Sequence, residues 1–290
     1  MGVTNVTGRP PSAEDGSAAG GPDPEAGQSL FAPERRLAIS QQAVIQGRVS
    51  VAELAARFAV APETIRRDLD VLERQGRIQR VHGGAIPPIG RSGREAAVDD
   101  RRATRIEAKT AIARAAMSHL PPAHGSILLD GGSTTGQLAA AMAAAAREDA
   151  LDPVTVVTNF PAAGVELSQA EAADVLLLGG RLRRVTETVV GAQTNAALGS
   201  ISADVAFLGA NGISAALGLT TPDAEEAAAK RLIAARSQRV IALADSSKFG
   251  LEHLCTFAEL AWVDVLITDA APPPPLAEAM DRAEIEVVIA

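Results

Sequence analysis

The apolar positions between residues 34 and 88 predict a small helical domain that ends in a β-ribbon. A helix is expected over 34–46, although its apolar stripe is weak. Apolar residues then recur at helical spacing from Val51 to Phe58 and again from Ile65 to Leu72, with a short break between the two runs. The stretch after the second run predicts two short strands around a Gly-Gly turn. This order of elements indicates a winged helix-turn-helix.

The ends of the two central helices have recognisable sequence signals. Ser50 precedes the first helix and can cap it, and Pro62 suits the first position of the second helix, where a missing N–H is tolerated. At about 100° per residue, Arg67 points away from the buried stripe of the second helix, while Thr64 and Arg66 lie on its flanks. The second helix therefore presents arginines near its N-terminus, the end that such motifs turn toward base edges.

Beyond residue 105 the pattern changes to short, almost unbroken apolar runs that alternate with helical segments. This rhythm predicts a mainly parallel sheet covered by helices on both faces, an α/β domain. Strands are expected at 126–130, 154–159, 174–180, 204–212, 239–247, 262–269 and 286–290. Helices are expected at 107–120, 134–147, 161–169, 223–236 and 276–283.

Composition sets the domain boundaries. Residues 1–33 are mainly Gly, Pro, Ala, Ser and acidic residues without an apolar period, which is typical of a disordered tail. Residues 89–105 mix Pro, Gly and alternating charges and are expected to form a linker. The predicted organisation is thus a tail (1–33), a winged helix-turn-helix domain (34–88), a linker (89–105) and an α/β domain (106–290).

Charge is distributed unevenly along this chain of net charge −8. Residues 34–94 carry 11 Arg against 6 acidic residues, whereas residues 95–290 carry a net charge of −10. A compact basic segment joined to an acidic body indicates nucleic acid binding on one side only. A solvated basic surface is the plainer explanation of any single arginine. The residues expected to contact DNA are Ser50, Thr64, Arg66, Arg67, Arg77, Arg80 and His82.

Five of the predicted strands end in glycine or small polar residues. In open α/β sheets, ligands bind outside the carboxyl ends of the strands. The stretch DGGSTT, between a strand and an Ala-rich helix, offers backbone amides, hydroxyls and a helix N-terminus to a phosphate. Each loop alone is explained by a turn with a helix cap, but together they predict a site for a small anionic ligand. The candidates are Asp130, Gly131, Gly132, Ser133, Thr134, Thr135, Thr158, Asn159, Gly179, Gly180, Gly209, Asn211, Lys230, Asp245 and Lys248.

Catalysis is the competing interpretation of this pocket. Asp130, Asp223 and Asp245 are candidate bases, but the GANGIS loop near the expected centre has no ionisable side chain. The four histidines are scattered along the chain, so no metal site is expected, and no nucleophile elbow is present. We therefore expect a sensing role, with no catalytic residues and no cofactor.

Several motifs in the same order resemble the DeoR family of bacterial transcriptional regulators, which couple sugar-phosphate levels to catabolic gene expression. They include GRVSVAELAARFAVAPETIRRDLDVLERQGRIQRVHGGA, ILLDGGSTTGQLA, LLLGGRLR, ADVAFLGANGIS, GLTTPDAEEAAAKR and VIALADSSKFG. The resemblance implies that the second domain is Rossmann-like and similar to ribose-phosphate isomerases and CoA transferases. It also implies that the strand-end candidates face an effector, and that Thr64, Arg66 and Arg67 contact bases.

Three features depart from the family pattern. Ala61 stands where a Ser usually precedes the second helix, so the capping hydroxyl is missing, at a cost of about 1 kcal/mol. Helix 34–46 is more polar than usual, and the acidic tail 1–33 has no counterpart in the family pattern. None of these features touches the arginine pair.

Together these observations predict a cytoplasmic, DNA-binding repressor of a carbohydrate-catabolism operon. A phosphorylated sugar is expected to control its DNA affinity, and a homo-oligomer is expected because one helix contacts few bases. Nothing in the sequence predicts a membrane segment. The alternatives are a sugar-phosphate isomerase or transferase with a DNA-binding appendage, and a winged helix that binds protein rather than DNA.

Overall fold

The computed structural model describes residues 31–290 except 47, 76, 82 and 87–97. Most of the predicted tail, part of the predicted linker and His82 lie outside the described residues. The N-terminal part has the predicted winged helix-turn-helix, whose strands pair antiparallel in the order β1-β3-β2. Its elements are α1 (Ala32–Gln46), β1 (Val49–Ser50), α2 (Val51–Arg57), α3 (Pro62–Arg74), β2 (Gln79–Val81) and β3 (Gly84–Ile86).

The predicted helix ends are present in the structure. The Ser50 hydroxyl accepts a hydrogen bond of 3.1 Å from the backbone N–H of Glu53 and so caps α2. Pro62 begins α3, and Ala61 at its N-cap provides no side-chain hydrogen bond. The apolar stripe of α3 packs into the domain core together with Leu54 and Phe58 of the preceding helix segment. Local sequence signals therefore set the position of both helices.

Helix α1 packs through charge as well as through its weak apolar stripe. Ile39 and Ala43 are fully buried in the domain core. In addition, the Nε atoms of Arg35 and Arg36 lie 2.6 Å and 2.8 Å from the two carboxylate oxygens of Asp68, a buried residue of α3. A carboxylate shared by two guanidinium groups ties α1 to the second helix of the motif.

Glycine is required where the ribbon crosses β1. A Cβ at Gly84 would lie 1.9 Å from the carbonyl oxygen of Val49, so only glycine allows this close pairing. The preceding Gly83 has a positive φ of 75°, which suits the turn between β2 and β3.

The rest of the described chain is the predicted α/β domain. Its central sheet has seven parallel strands in the order β15-β14-β12-β9-β4-β5-β6, with apolar layers on both faces. The helices are α4 (Val98–Ala103), α5 (Ile106–Ala116), α6 (Ser133–Arg147), α7 (Pro161–Leu167), α8 (Ala192–Gly199), α9 (Ala224–Ala235) and α10 (Pro274–Arg282). The strands are β4 (Ser126–Leu129), β5 (Val154–Thr158), β6 (Ala173–Leu177), β7 (Arg181–Arg183), β8 (Thr188–Val190), β9 (Ala203–Gly209), β10 (Gly212–Ser214), β11 (Gly218–Thr221), β12 (Ser237–Leu243), β13 (Cys255–Ala258), β14 (Val265–Thr268) and β15 (Glu286–Ile289).

The strand order has one switch point. From β4 the chain moves outward to β5 and β6, then returns to place β9 on the other side of β4. From β9 it moves outward again through β12, β14 and β15. Loops that leave neighbouring strands in opposite directions open a crevice at the carboxyl ends, so the expected binding position lies between β4 and β9.

Two small sheets were absent from the predicted pattern. Strands β7 and β8 form an antiparallel hairpin, and β10, β11 and β13 form an antiparallel sheet beside the main one. The helix α8 was not predicted either. These elements have three to eight residues each, too few to show a clear period in the sequence.

Part of the predicted linker packs on the α/β domain. Residues Val98–Ala103 form α4, and Val98 is buried with its N–H bonded to the carbonyl oxygen of Val185 at 2.8 Å. The segment was predicted as part of the linker, and within it the side chains of Arg102 and Arg105 bind specific partners on the domain. No helix of the described part of the chain is long and apolar enough to cross a membrane.

Candidate effector site and DNA-contacting surface

A cavity opens at the switch point, at the carboxyl ends of β4, β9 and β12. It combines the loop after β4, the loop after β9 and a lysine from the loop after β12. Residues from α4 and α9 close its other sides. The cavity is lined by Arg101, Gly131, Gly132, Ser133, Thr134, Thr186, Gly209, Ala210, Asn211, Glu226, Lys230 and Lys248.

The floor of the cavity is the N-terminus of α6. Gly132 occupies the N-cap position, and no side chain caps this helix end. The first helical hydrogen bond runs from the N–H of Gly136 to the carbonyl of Gly132, at 2.9 Å. The N–H groups ahead of it have no intrahelical partner and, with the positive end of the helix dipole, favour an anion. Gly131 is needed here because a Cβ would lie 2.1 Å from Cγ2 of Thr188.

Lys230 and Asp130 form a buried ion pair beside this floor. Lys230 of α9 donates to the Asp130 carboxylate and also to the carbonyl oxygen of Gly209, at 3.0 Å. Asp130 accepts a further hydrogen bond of 3.1 Å from the Gly209 N–H. Burial raises the pKa of Asp130, and the charge of Lys230 counteracts this rise. The pair joins the ends of β4 and β9 across the switch point.

A second group of charges lies after β12. Burial acts to raise the pKa of Asp245, but the cation of Lys248 and the hydrogen bond from Ser247 bring the pKa below its usual value. Burial lowers the pKa of Lys248, and Asp245 opposes that shift. Arg105 adds a cation, its Nε lying 3.5 Å from Asp245. The cavity wall is therefore rich in cations held in place by buried carboxylates.

The structure brings together only part of the predicted effector set. The cavity contains Gly131, Gly132, Ser133, Thr134, Gly209, Asn211, Lys230 and Lys248. The buried carboxylates Asp130 and Asp245 lie behind the lining, where each interacts with one of the two lysines. Thr135 is fully buried and its hydroxyl donates to the Gly132 carbonyl oxygen at 3.2 Å.

The remaining candidates lie away from the cavity lining. The Thr158 hydroxyl donates to the carbonyl oxygen of Leu129 at 2.7 Å, and the Asn159 amide donates to that of Val189 at 3.1 Å. Gly179 and Gly180 are exposed and follow β6, at the edge of the sheet. The physical reason is strand order, because the ends of β5 and β6 lie on the far side of β4 from the switch point.

Four lining residues were not predicted. Arg101 comes from the predicted linker, Thr186 precedes β8, Ala210 follows β9, and Glu226 lies on α9. The buried Glu226 carboxylate accepts from the hydroxyls of Thr188 and Thr221, at 3.0 and 3.3 Å. The motif that contains Glu226 was noted in the sequence, but nothing in its spacing indicated which of its acidic residues faces the cavity.

The carboxylates considered as catalytic bases have structural partners. Asp223 caps α9 by accepting from the N–H groups of Glu225 and Glu226, both at 3.0 Å. Asp245 accepts from the Ser247 N–H at 3.0 Å, and Asp130 binds Lys230. In the described part of the chain, no group of three or more His, Cys, Asp or Glu side chains is arranged to hold a metal ion.

The exposed face of α3 has the predicted arrangement. Arg66 and Arg67 are exposed near the N-terminal end of the helix, and Thr64 is half-buried. Arg66 forms an ion pair of 3.2 Å with Glu63 one turn earlier. An exposed ion pair of this kind contributes little to stability and can be exchanged for a phosphate or a base at small cost. This helix face is available to a partner in solution.

The wing residues differ from one another. Arg80 binds the Asp70 carboxylate, and its N–H donates to Glu73 at 3.0 Å, so it fastens β2 to α3. Arg77 is half-buried and its pKa is lowered by burial, while the nearby Asp245 of the α/β domain acts to raise it. In this arrangement Arg77 faces the α/β domain rather than open solvent. Ser50 uses its hydroxyl as a helix cap, and His82 lies outside the described residues.

A winged helix with exposed arginines, joined to a sheet with a cationic cavity at its switch point, is the construction of a ligand-responsive transcriptional regulator. Two family models match the chain: the DeoR-like helix-turn-helix domain over residues 35–88 and the DeoR C terminal sensor domain over residues 104–270. The chain belongs to the DeoR family of transcriptional regulators. The resemblance seen in the sequence, and the predicted fold class, are thereby confirmed.

Two related transcriptional regulators support this membership. The HTH-type transcriptional regulator GlpR of Haloferax volcanii is 36% identical over 241 residues, which cover 82% of this chain and 90% of that protein. The glycerol-3-phosphate regulon repressor of Escherichia coli (strain K12) is 35% identical over 229 residues, covering 79% and 87%. A ribose 5-phosphate isomerase A from Methanocaldococcus jannaschii aligns with a TM-score of 0.38 and 18% identity, covering 50% and 55%. The protein is a transcriptional regulator rather than an enzyme.

Proposed function

We propose that this protein represses a carbohydrate-catabolism operon and releases its operator when a phosphorylated sugar or polyol binds the α/β domain. One observation carries the proposal: the switch-point cavity joins the uncapped N-terminus of α6 to the cations Lys230 and Lys248. A phosphate in this position would accept hydrogen bonds from backbone N–H groups and be neutralised by the lysines. The hydroxyls of Ser133, Thr134 and Thr186 are suited to the polar part of such a ligand.

For the DNA side, α3 is proposed as the helix that enters the major groove. Its width suits that groove, and Arg66 and Arg67 project from its exposed face. Arginine binds guanine through O6 and N7, and such a contact discriminates by about 1–3 kcal/mol. Phosphate contacts from the neighbouring basic surface would add affinity that does not depend on sequence and that falls with salt.

A homo-oligomer is part of the proposal. A single recognition helix contacts only a few base pairs, which is too little to select one operator within a genome. Two copies on neighbouring half-sites would double the number of base contacts. Effector binding then changes operator affinity by favouring one arrangement of the domains over another.

A thermal-shift screen of the full chain tests the effector. Sugar phosphates, glycerol 3-phosphate, inorganic phosphate and the matching free sugars form the panel, glycerol 3-phosphate being included because of the name of the E. coli relative. A ligand that binds only the folded state raises the melting temperature, by RT ln(1 + [L]/Kd) in free energy. We expect a phosphorylated compound to stabilise the protein and its dephosphorylated form to have no effect.

Fluorescence anisotropy with DNA from the protein's own promoter region tests the proposed DNA binding and its control by the effector. We expect preference for this DNA over a scrambled duplex, and loss of that preference when the phosphorylated ligand is added. If the protein binds both duplexes equally, at background level and with no dependence on salt, the result would favour a winged helix that binds protein rather than DNA. Turnover of the ligand by the full chain would favour the enzyme alternative.

A further inference from the structure

The segment that follows the winged helix-turn-helix is anchored to the α/β domain on both sides of the effector cavity. At its beginning, Val98 is buried and hydrogen-bonded to Val185. Arg102 lies 3.2 Å from the Glu187 carboxylate, and its guanidinium stacks 5.6 Å from the centre of the Phe160 ring. These contacts fix α4 against the loop before β8 and the end of β5.

The other end of the segment is held by Arg105 and Lys109. Arg105 has a left-handed backbone (φ 55°) and donates to the Asp269 carboxylate and, at 3.1 Å, to the Ser246 hydroxyl. Lys109, on α5, donates to the backbone carbonyls of Arg101 and Thr104, the latter at 2.6 Å. The turn between α4 and α5 is therefore held by side chains that neighbour the loop after β12.

Arg101, which precedes Arg102 in α4, lines the cavity. It shares that lining with Lys248 and with the first residues of α6, which are the groups proposed to hold the anionic part of the effector. Arg101 is half-buried, and its backbone carbonyl oxygen accepts a hydrogen bond from the Lys109 side chain, which holds this part of α4 in place. A guanidinium in such a place can form two parallel hydrogen bonds to a phosphate, which lysine cannot do.

The charges around Arg101 also favour an anion. Burial lowers the pKa of Lys109 to about 8; Asp245 opposes this shift, and Lys248, Arg101 and Arg105 add to it. Arg101 and Arg77 both act in the same direction on Lys248. A dianion placed among these cations would relieve their mutual repulsion and draw them together. One of them, Arg77, belongs to the winged helix-turn-helix itself.

We propose that Arg101 is a direct ligand of the anionic group of the effector and that, through it, the effector fixes the segment leading to the DNA-binding domain. This inference rests on the proposed function and names the residue by which the ligand acts on the connection. One side chain, that of Arg101, would then both contact the effector and belong to the segment that connects the two domains. Coupling between the two sites follows, because a ligand that holds α4 more firmly biases the domain arrangement.

Calorimetric titration of the full chain with inorganic phosphate and with glycerol 3-phosphate tests the ligand role. We expect Arg101→Gln to weaken binding by about 10- to 100-fold, since a charged bidentate contact is lost. Arg101→Lys keeps the charge and should be intermediate. Arg114→Gln, an exposed position on α5 with the same change in charge, should bind as the wild type does. Thermal melting of each variant separates lost binding from lost folding.

Hydrogen exchange of residues 98–105 tests the coupling. In the wild type, ligand should slow exchange of these amides; in Arg101→Gln it should not, even at a ligand concentration that saturates the variant. If the wild type binds the ligand and Arg101→Gln shows the same affinity and the same slowing of amide exchange, the role of Arg101 is overturned, and the proposed function stands. A wild-type chain that binds no phosphate-bearing compound of the screen would overturn both.

Discussion

Lys230 reaches from α9 to the Asp130 carboxylate at the end of β4, and the two side chains are only 6% and 1% exposed. Neither charge could be buried without the other, because a lone ion in a protein interior costs several kcal/mol. Through this pair and the Gly209 carbonyl, Lys230 links the carboxyl ends of β4 and β9, which flank the switch point. It therefore serves the shape of the cavity as well as its charge.

Removing the lysine tests this ion pair. Lys230→Met leaves Asp130 buried without its cation, and we expect the free energy of unfolding near neutral pH to fall by about 3–5 kcal/mol. The double variant Lys230→Met/Asp130→Asn should recover much of that loss. Chemical denaturation measures both. A single variant as stable as the wild type would show that the pair has no role in stability.

The pH dependence of Lys230→Met has a definite sign. Without Lys230, the hydrogen bond from the Gly209 N–H opposes only part of the effect of burial, which raises the pKa of Asp130 above its ordinary value of 3.8. The folded variant then binds a proton that the unfolded chain releases, so its stability is retained at low pH and lost as the pH rises above that value. Denaturation of the variant and the wild type at pH 4 and pH 7 should show a smaller difference at pH 4.

Lys109 should make the free energy of unfolding rise with pH at high pH, the opposite of the trend expected for Lys230→Met. Its pKa is about 8 in the folded protein, against an ordinary value of 10.5. Between these values the unfolded chain binds a proton that the native state lacks, so the free energy of unfolding rises with pH. Relative to Lys109→Met, the wild type should gain up to about 3 kcal/mol over that window. Below pH 7 the difference between the two should be flat, which serves as the internal control.

Asp68 should be essential to the packing of α1. Asp68→Asn removes the carboxylate shared by Arg35 and Arg36, and we expect a loss of about 3 kcal/mol because one guanidinium remains buried without it. Asp70→Asn, two residues later on the same helix, breaks only the exposed pair with Arg80 and should cost less than about 1 kcal/mol. Equal losses for the two variants would contradict the structure.

Gly131 should tolerate no side chain. Gly131→Ala pushes a Cβ into Thr188, and we expect a loss of about 1–3 kcal/mol together with weaker ligand binding at the α6 N-terminus. Gly199→Ala meets no atom within 4 Å and lies in α8, so it should leave stability unchanged or raise it by about 0.5–1 kcal/mol. Thermal melting compares the two alanine variants directly.

Arg67 tests the DNA surface. If it contacts a guanine edge, Arg67→Ala should lose about 1–3 kcal/mol on the cognate operator and little on scrambled DNA. A uniform loss on both, with a salt slope lower by about one, would make Arg67 a phosphate contact. Arg74→Ala, exposed at the opposite end of α3, is the matched control and should affect the cognate operator much less.

The sequence predicted the helices and strands of both domains well wherever a segment was long enough to show a period. The ends of α2, α3 and α6 agree with the predictions within about two residues, since caps and apolar spacing are local properties. The short hairpin β7–β8 and the small sheet around β11 were missed, because a strand of three or four residues has no measurable period. The polar helix α1 was predicted, but its packing partner Asp68 was not.

The sequence by itself determined the order of the elements, the exposed face of α3 and the composition of each strand-end loop, because these depend on neighbours within one or two turns of chain. Only the tertiary structure decided which loops meet. Strand order placed the ends of β4, β9 and β12 around one cavity and left Thr158 and Gly179 outside it. It also brought Arg101 from the predicted linker to that cavity. Such contacts join residues about 30 to 150 positions apart, and local spacing carries no record of them.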